Sequence, residues 1–275
     1  MLVDLIRTAI AERVTDRSAI VLSGGLDSST VACLADRDLP TVTGWYDEPG
    51  FDERPWARYA MHPIHHEIQI TPQDFVDHFD TMKPHVPKPV QGMGTFGQYM
   101  VAKALSDLGF DVALSGEGSD ELFGGYARTL WAAGEPMPDG YENYTPPPDY
   151  PSDLEAALQY DLDRLPNLLA VDEAMLGACG LEGRAPFTDE AIVEYALALD
   201  PRERVGKRHL RRAVRGIVPD RIIDRTDKMG FPAPLVKWAQ VEPVRSFIGD
   251  RIGWLPDPDK PWERGWWYEM VLRAD

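Results

Sequence analysis

Cysteine is nearly missing from this 275-residue chain: Cys33 and Cys179 are the only two. Two isolated cysteines build neither a disulfide framework nor a CxxC metal or redox pair, so a reducing cytoplasm is the expected setting. Basic charge is also scarce. Lys and Arg number 28 against 45 Asp and Glu, for a net charge of −17. A protein that grips a phosphate backbone needs a basic face, and this balance excludes nucleic acid as a partner. The local cluster Lys207-Arg208-His209 with Arg211-Arg212 lies at helical spacing among carboxylates and reads as a solvated helix face. No apolar run approaches the ~20 residues of a membrane span. The opening segment MLVDLIRTAIAERV carries Asp4 and Glu12 and lacks a basic start, so it reads as an amphipathic helix rather than a signal peptide. No membrane partner is expected, and no internal repeat is present.

What is present is ordinary globular composition, 44% hydrophobic and 27% charged, with clear periodicity. The first ~115 residues alternate helix and strand patterns, the mark of a parallel α/β sheet. Short apolar or β-branched runs at 19–22, 41–46 and 112–114, together with the segment 66–70, predict four strands. Helical segments are predicted between them at 28–35, 53–61 and 97–108, and Thr71-Pro72 supplies an N-cap and N1 proline for one more. From 128 to 152 the texture changes: six prolines, three of them consecutive at Pro146 to Pro148, predict an extended loop or lid. Beyond it the pattern is mainly helical. The end of the chain holds Trp254, Trp262, Trp266 and Trp267, too many aromatics for a disordered tail, and is expected to pack on the body or on another subunit.

Two segments carry chemistry. Leu22-Ser23-Gly24-Gly25-Leu26-Asp27-Ser28-Ser29 follows the first strand and opens a helix. Adjacent glycines let consecutive N–H groups aim at an anion, the helix adds the positive end of its dipole, and three serines add hydroxyls. The GK[ST] of a Walker loop is absent. The second segment, Leu114-Ser115-Gly116-Glu117-Gly118-Ser119-Asp120-Glu121, follows the fourth strand. In a parallel sheet both loops open at the carboxyl edge, where ligands bind. Asp27 and Asp120 then face each other across a polyphosphate site and supply the few protein oxygens that Mg²⁺ takes. Glu117 is a third carboxylate in the same mouth.

SGGLDSS resembles the pyrophosphatase-type loop of the adenine nucleotide α-hydrolase-like (HUP) enzymes, and LSGEGSDELFGGY resembles the second loop of the asparagine synthetases. The resemblance runs on through His65-His66-Glu67-Ile68, 181–189 (LEGRAPFTD) and 225–231 (RTDKMGF), about residues 15 to 240. It implies one synthetase-like domain over 1–275, with an α/β nucleotide-binding half at 1–127, the Pro-rich loop at 128–152, and a mainly helical half at 153–275. It implies ATP and Mg²⁺ as cofactors and a reaction through an acyl-adenylate, with AMP and pyrophosphate released.

Carried over, Leu22, Ser23, Gly24, Gly25, Asp27, Ser28 and Gly116 bind ATP, Asp27 and Asp120 hold the metal, and Lys228 is the catalytic cation. Glu117 contacts the intermediate and takes a proton from the incoming amine. Arg184, His65 and His66 are expected to be structural. Leu2 stands where glutamine-using synthetases place their nucleophilic cysteine, so ammonia or a separate amidotransferase subunit is expected to supply nitrogen. Aspartate is the carboxylate that the resemblance implies. Another carboxylate acceptor, in a pocket formed by 134–151 and the Trp-rich end, is one alternative. A non-catalytic nucleotide-binding subunit is another. A sulfur-inserting RNA enzyme on the same loop is disfavoured by the acidic charge and the missing cysteine pair.

Overall fold

Alternation within very short strands sets the architecture. In the computed structural model, which describes residues 1–90, 92–138, 141, 143–227, 231, 233–257 and 265–273, five strands form one sheet. They are β1 (Ser18–Val21), β2 (Thr41–Trp45), β3 (His65–Gln69), β4 (Val112–Leu114) and β5 (Glu182–Arg184). The order is β3-β2-β1-β4-β5, and every neighbouring pair is parallel. Successive side chains point to opposite faces. Ala19, Val42 and Ala113 enter one hydrophobic core, while Ile20, Val112 and Leu114 enter the other.

Helices cover both faces, as a parallel sheet requires. One face packs against α1 (Leu2–Ala11) and α2 (Leu26–Leu34). The other packs against α4 (Pro72–Met82), α5 (Gly94–Asp107) and α9 (Leu165–Gly177). The short α3 (Arg54–Ala57) follows β2, α6 (Ser119–Phe123) and α7 (Ala127–Ala133) follow β4, and α8 (Leu154–Leu162) precedes α9. Thr71 caps α4 through a full capping box with Asp74, and Pro72 opens the helix, as the sequence predicts. This is the parallel α/β fold of the HUP type. Among the described residues no helix is long and apolar enough to cross a membrane.

Three features depart from the sequence reading. A fifth strand, β5, lies in the half read as mainly helical. Only three residues long, it is too short to show a period and is defined by its pairing to β4. The Pro-rich loop begins later than 128, because α7 continues to Ala133 and ends at Gly134 in a left-handed conformation. The first proline of the run is Pro136, so nothing opposes helix before it. The stretch 53–61 yields only the four-residue α3. Of the terminal tryptophans, Trp266 and Trp267 are fully buried against Phe75 and Phe79 of α4, Trp254 is partly buried and donates to Glu269, and Trp262 lies outside the described residues.

Candidate active site

The strand order turns around between β1 and β4, neighbours whose onward connections run to opposite sides of the sheet. Both loops of interest leave the carboxyl ends of these two strands, the crevice position for a ligand in an open α/β sheet. Leu22 is tied to β2 at both ends: its amide donates to Val42 O at 2.8 Å and its carbonyl accepts from Thr43 Oγ1 at 2.6 Å. Gly24 adopts φ +68, and a Cβ there would fall 2.6 Å from the Ala57 amide of α3. Only glycine satisfies both the conformation and the approach. The Ser23 amide donates to Ser28 Oγ at 3.1 Å, which folds the loop over the start of α2. The amides from Gly24 to Asp27 find no carbonyl partner among the described residues. They are the orphan donors of a helix start, the kind of group that an anion can satisfy.

The second loop touches the first. A Cβ on Gly116 would lie 2.7 Å from both Asp27 Cβ and the Ser28 amide, so Gly116 rests directly on the first turn of α2. That contact brings Asp27 and Asp120 together. Lys207 Nζ lies 2.6 Å from Asp27 Oδ2 and 2.7 Å from Asp120 Oδ1, one ammonium shared by two carboxylates. Burial works against the Lys207 charge, but the two carboxylates outweigh it and hold the ammonium above its ordinary range. Asp27 Oδ1 is buried without a hydrogen-bond partner, although Lys207 bonds the other oxygen of the same carboxylate. An orphaned oxygen on one of two converging carboxylates fits a divalent cation of the magnesium type.

Lys207 corrects the sequence reading. Its segment reads as a solvated helix face, yet the Lys207 side chain is only 8% exposed. Gly206 and Lys207 both adopt left-handed conformations, which turn the lysine away from the helix that starts at Arg208 and into the cleft. The Gly206 amide donates to Gly124 O at 2.8 Å, and buried Arg204 donates to Leu122 O at 2.7 Å. Residues 204–207 are thereby stitched to 122–124, eighty positions earlier. The glycine before the lysine was the local sign of this turn.

Glu117 sits on the cleft side of the β4 loop, half-buried, and its carboxyl has no hydrogen-bond partner among the described residues. Burial pushes its pKa to about 8, reinforced by Asp172 and by Glu121, Asp120 and Asp27. Asp172, on α9, is pushed to about 6 by burial and by Glu173. Glu117 thus stays neutral to higher pH than Asp172, chiefly because it is buried and secondarily because of the Asp172 charge. Asp172 was missed in the sequence. Its signal was position, four residues before buried Leu176 and seven after buried Leu165, on the inward face of α9.

Lys228 lies outside the described residues. The chain on either side of it is anchored. Arg225, 4% exposed at the side chain, makes a bidentate pair with Glu53 at 2.7 and 2.9 Å and bonds Asp227 at 2.8 Å. It also reaches Gly24 O at 3.4 Å and lies 4.3 Å over the Trp56 ring. Phe231 packs on Tyr46 at 5.5 Å between centroids, in a socket open only because residues 44 and 97 are glycines. Cβ atoms there would approach the Phe231 ring to 3.0 and 2.6 Å. Arg225 is thus fixed on the Gly24 loop and Phe231 on β2 and α5. Replacing Arg225 by Met is expected to lower stability by about 3 kcal/mol, roughly 6–12 °C in Tm, because a buried charge pair loses one partner. Thermal unfolding measures this; a loss below ~1 kcal/mol would show that the anchor does not hold the segment.

The structure thus brings together Leu22, Ser23, Gly24, Gly25, Asp27, Ser28, Gly116, Glu117 and Asp120 of the sequence-read set at one edge of the sheet. Arg184 lies elsewhere, on Glu182 and the Arg13 carbonyl. His65 bonds Thr41 at 2.8 Å, and His66 packs near Phe110.

Comparison with known proteins agrees with the geometry. A family model described as asparagine synthase matches residues 1–155 and 142–262. The chain is similar to the root glutamine-hydrolyzing asparagine synthetase of Pisum sativum, 29% identical over 205 residues that make up 69% of this chain and 33% of that one. It is similar to the glutamine-hydrolyzing synthetase of Asparagus officinalis, 29% identical over 70% of this chain and 33% of that one. Synthetase 2 of Lotus japonicus is 30% identical over 69% of this chain and 32% of its own length. The chain spans about a third of the length of these curated relatives. With the family model matched along most of its residues and the two glycine loops meeting at the sheet edge, the chain belongs to the asparagine synthase family.

Proposed function

We propose that this chain forms an amide bond at the expense of ATP, by way of an acyl-adenylate. A substrate carboxylate attacks the α-phosphorus of ATP, pyrophosphate leaves, and an amine then displaces AMP from the acyl carbon. Aspartate and ammonia are the proposed pair, the ammonia being supplied free or by a separate glutamine amidotransferase subunit. One observation carries this reading: the direct seat of Gly116 on Asp27 and Ser28, which makes a single polyphosphate mouth from two loops ninety residues apart.

In that mouth the amides at the start of α2 and the Ser23 hydroxyl bind phosphate oxygens in fixed orientation, so little rearrangement accompanies charge development. Leu22 and Gly116 line the nucleotide side. Asp27 and Asp120 would hold the cation; Mg²⁺, when bound, supplies neutralisation of the pyrophosphate charge. Glu117 carries a proton at neutral pH in the ligand-free protein and takes one from the incoming amine only once ionised. A cation held by Asp27 and Asp120 would favour that ionisation, and a pKa of about 8 already lies close to physiological pH. Lys228 is assigned the role of stabilising negative charge at the α-phosphate, on the strength of the family motif and the anchors at Arg225 and Phe231.

Pyrophosphate–ATP exchange and AMP release, measured with aspartate and ammonia against a panel of small carboxylates, test the proposal. Exchange that depends on one carboxylate supports it and identifies the acceptor. Absence of AMP with every carboxylate would favour a nucleotide-binding subunit without chemistry of its own. Lys228→Ala is expected to lower kcat by roughly 10²–10³-fold while nucleotide affinity stays within a few-fold. Normal turnover in that variant would remove lysine from the mechanism.

A further inference from the structure

We propose that Lys207 is a tethered counter-cation that occupies the Asp27–Asp120 pair in the absence of Mg²⁺ and yields it when the metal arrives with its nucleotide. The inference rests on the metal assignment made above and extends it to a residue outside the two loops. Three observations support it. The ammonium touches both carboxylates at 2.6 and 2.7 Å, so it fills the space in which a metal would be shared by the two. Mg²⁺ binds oxygen at about 2.0–2.1 Å and cannot stand between these groups while another cation remains there.

The lysine is also held by devices that have no purpose on a solvated face. Among the described residues it is the one non-glycine with positive φ, at +59, a conformation that costs roughly 1–2 kcal/mol. A Cβ on Gly125 would fall 2.2 Å from Lys207 Cε and 1.9 Å from Asp120 Oδ1, so that glycine leaves room for the stem and for the carboxylate it serves. Gly206, one residue earlier, is fixed by Gly124 O and accepts from Arg211 Nε at 3.0 Å.

Finally, the hydrogen bonding of the pair is incomplete. Asp27 keeps one buried oxygen with no partner even with the lysine in place. Lys207 is the cation in contact with both carboxylates, with Arg128 and Arg211 acting on them from further off. It nevertheless leaves Asp27 unsatisfied, and a divalent ion that takes several oxygens is the better match. The arrangement discourages metal binding to the bare protein. Phosphates that enter with the metal bring the negative charge to which the released ammonium then turns.

The test uses the full chain without nucleotide or acceptor, and Mn²⁺ as the probe, with free Mn²⁺ read by electron paramagnetic resonance. Lys207→Met keeps the stem and removes the charge. It is expected to bind Mn²⁺ at least tenfold more tightly than the unaltered protein, and its Tm is expected to rise more steeply with added Mn²⁺. Equal or weaker Mn²⁺ binding overturns the proposal. If Lys207→Met does not fold, Lys207→Met/Asp120→Asn, which leaves a single carboxylate, is expected to fold. An equally unfolded double variant overturns charge compensation as the role of the lysine. No nucleotide takes part, so the outcome stands whichever carboxylate the enzyme uses, or if it releases no AMP at all. AMP formation by the unaltered chain combined with unchanged Mn²⁺ binding in the variant rejects the lysine assignment alone.

Discussion

Replacing Asp27 or Asp120 by asparagine is expected to lower AMP formation by about 10³-fold or more, the largest effect of any substitution in the chain. Asparagine keeps the volume of the side chain and removes the charge that the cation and pyrophosphate need. Because both carboxylates meet one buried ammonium, each change also leaves Lys207 with a single charged partner. A stability loss of roughly 1–3 kcal/mol is therefore expected alongside the activity loss, with the fold retained. Circular dichroism and thermal unfolding read the second effect, and AMP release at saturating Mg²⁺ and ATP reads the first. Turnover within tenfold of the unaltered chain would remove these carboxylates from the reaction.

Glu117→Gln is expected to separate activity from stability. The folded chain holds the Glu117 proton up to about pH 8, whereas the ordinary value is 4.5, so folding favours the neutral carboxyl. Its contribution to stability is complete below about pH 4.5 and is lost as pH rises through 8, where the group must ionise in a buried, acid-rich mouth. Glutamine cannot ionise. At pH 9 the nucleotide-free variant is expected to be more stable than the unaltered chain by roughly 1–3 kcal/mol, and at pH 4–5 the two are expected to coincide. Amide formation in the same variant is expected to fall by about 10²-fold or more, for want of the proton acceptor. Equal Tm values at pH 9 would show that Glu117 is solvated. Unimpaired amide formation would show that the amine loses its proton elsewhere. A carboxyl that weakens the fold above neutrality yet is indispensable to turnover is the pattern expected of a residue kept for chemistry.

Much of this was legible along the chain because the signals are local. The three central strands β2, β1 and β4 are short, largely apolar or β-branched runs followed by Ser-Gly or other turn residues, and strands buried on both faces of a parallel sheet need no more than that. SGGLDSS carries its meaning in its own backbone: a left-handed glycine, a second glycine at the helix start, and serines that fold back on the loop. That the Glu117 and Asp120 loop belongs to the same mouth follows from parallel topology, since both loops leave carboxyl ends of strands. Tertiary structure alone decided the rest, where one residue depends on another far away. Three-residue β5 exists because β4 offers it an edge. The anchoring role of Arg225 appears only when Glu53, Trp56 and Gly24 surround it.

Lys207 is the sharpest instance. Its neighbours in sequence include the arginines of a partly exposed helix, and its neighbours in space are two carboxylates from residues 27 and 120. Periodicity reports which face of an element is apolar. It carries no information about a single side chain that the backbone turns off that face into a cleft, because the energy favouring the turn comes from groups that only the folded chain brings within reach.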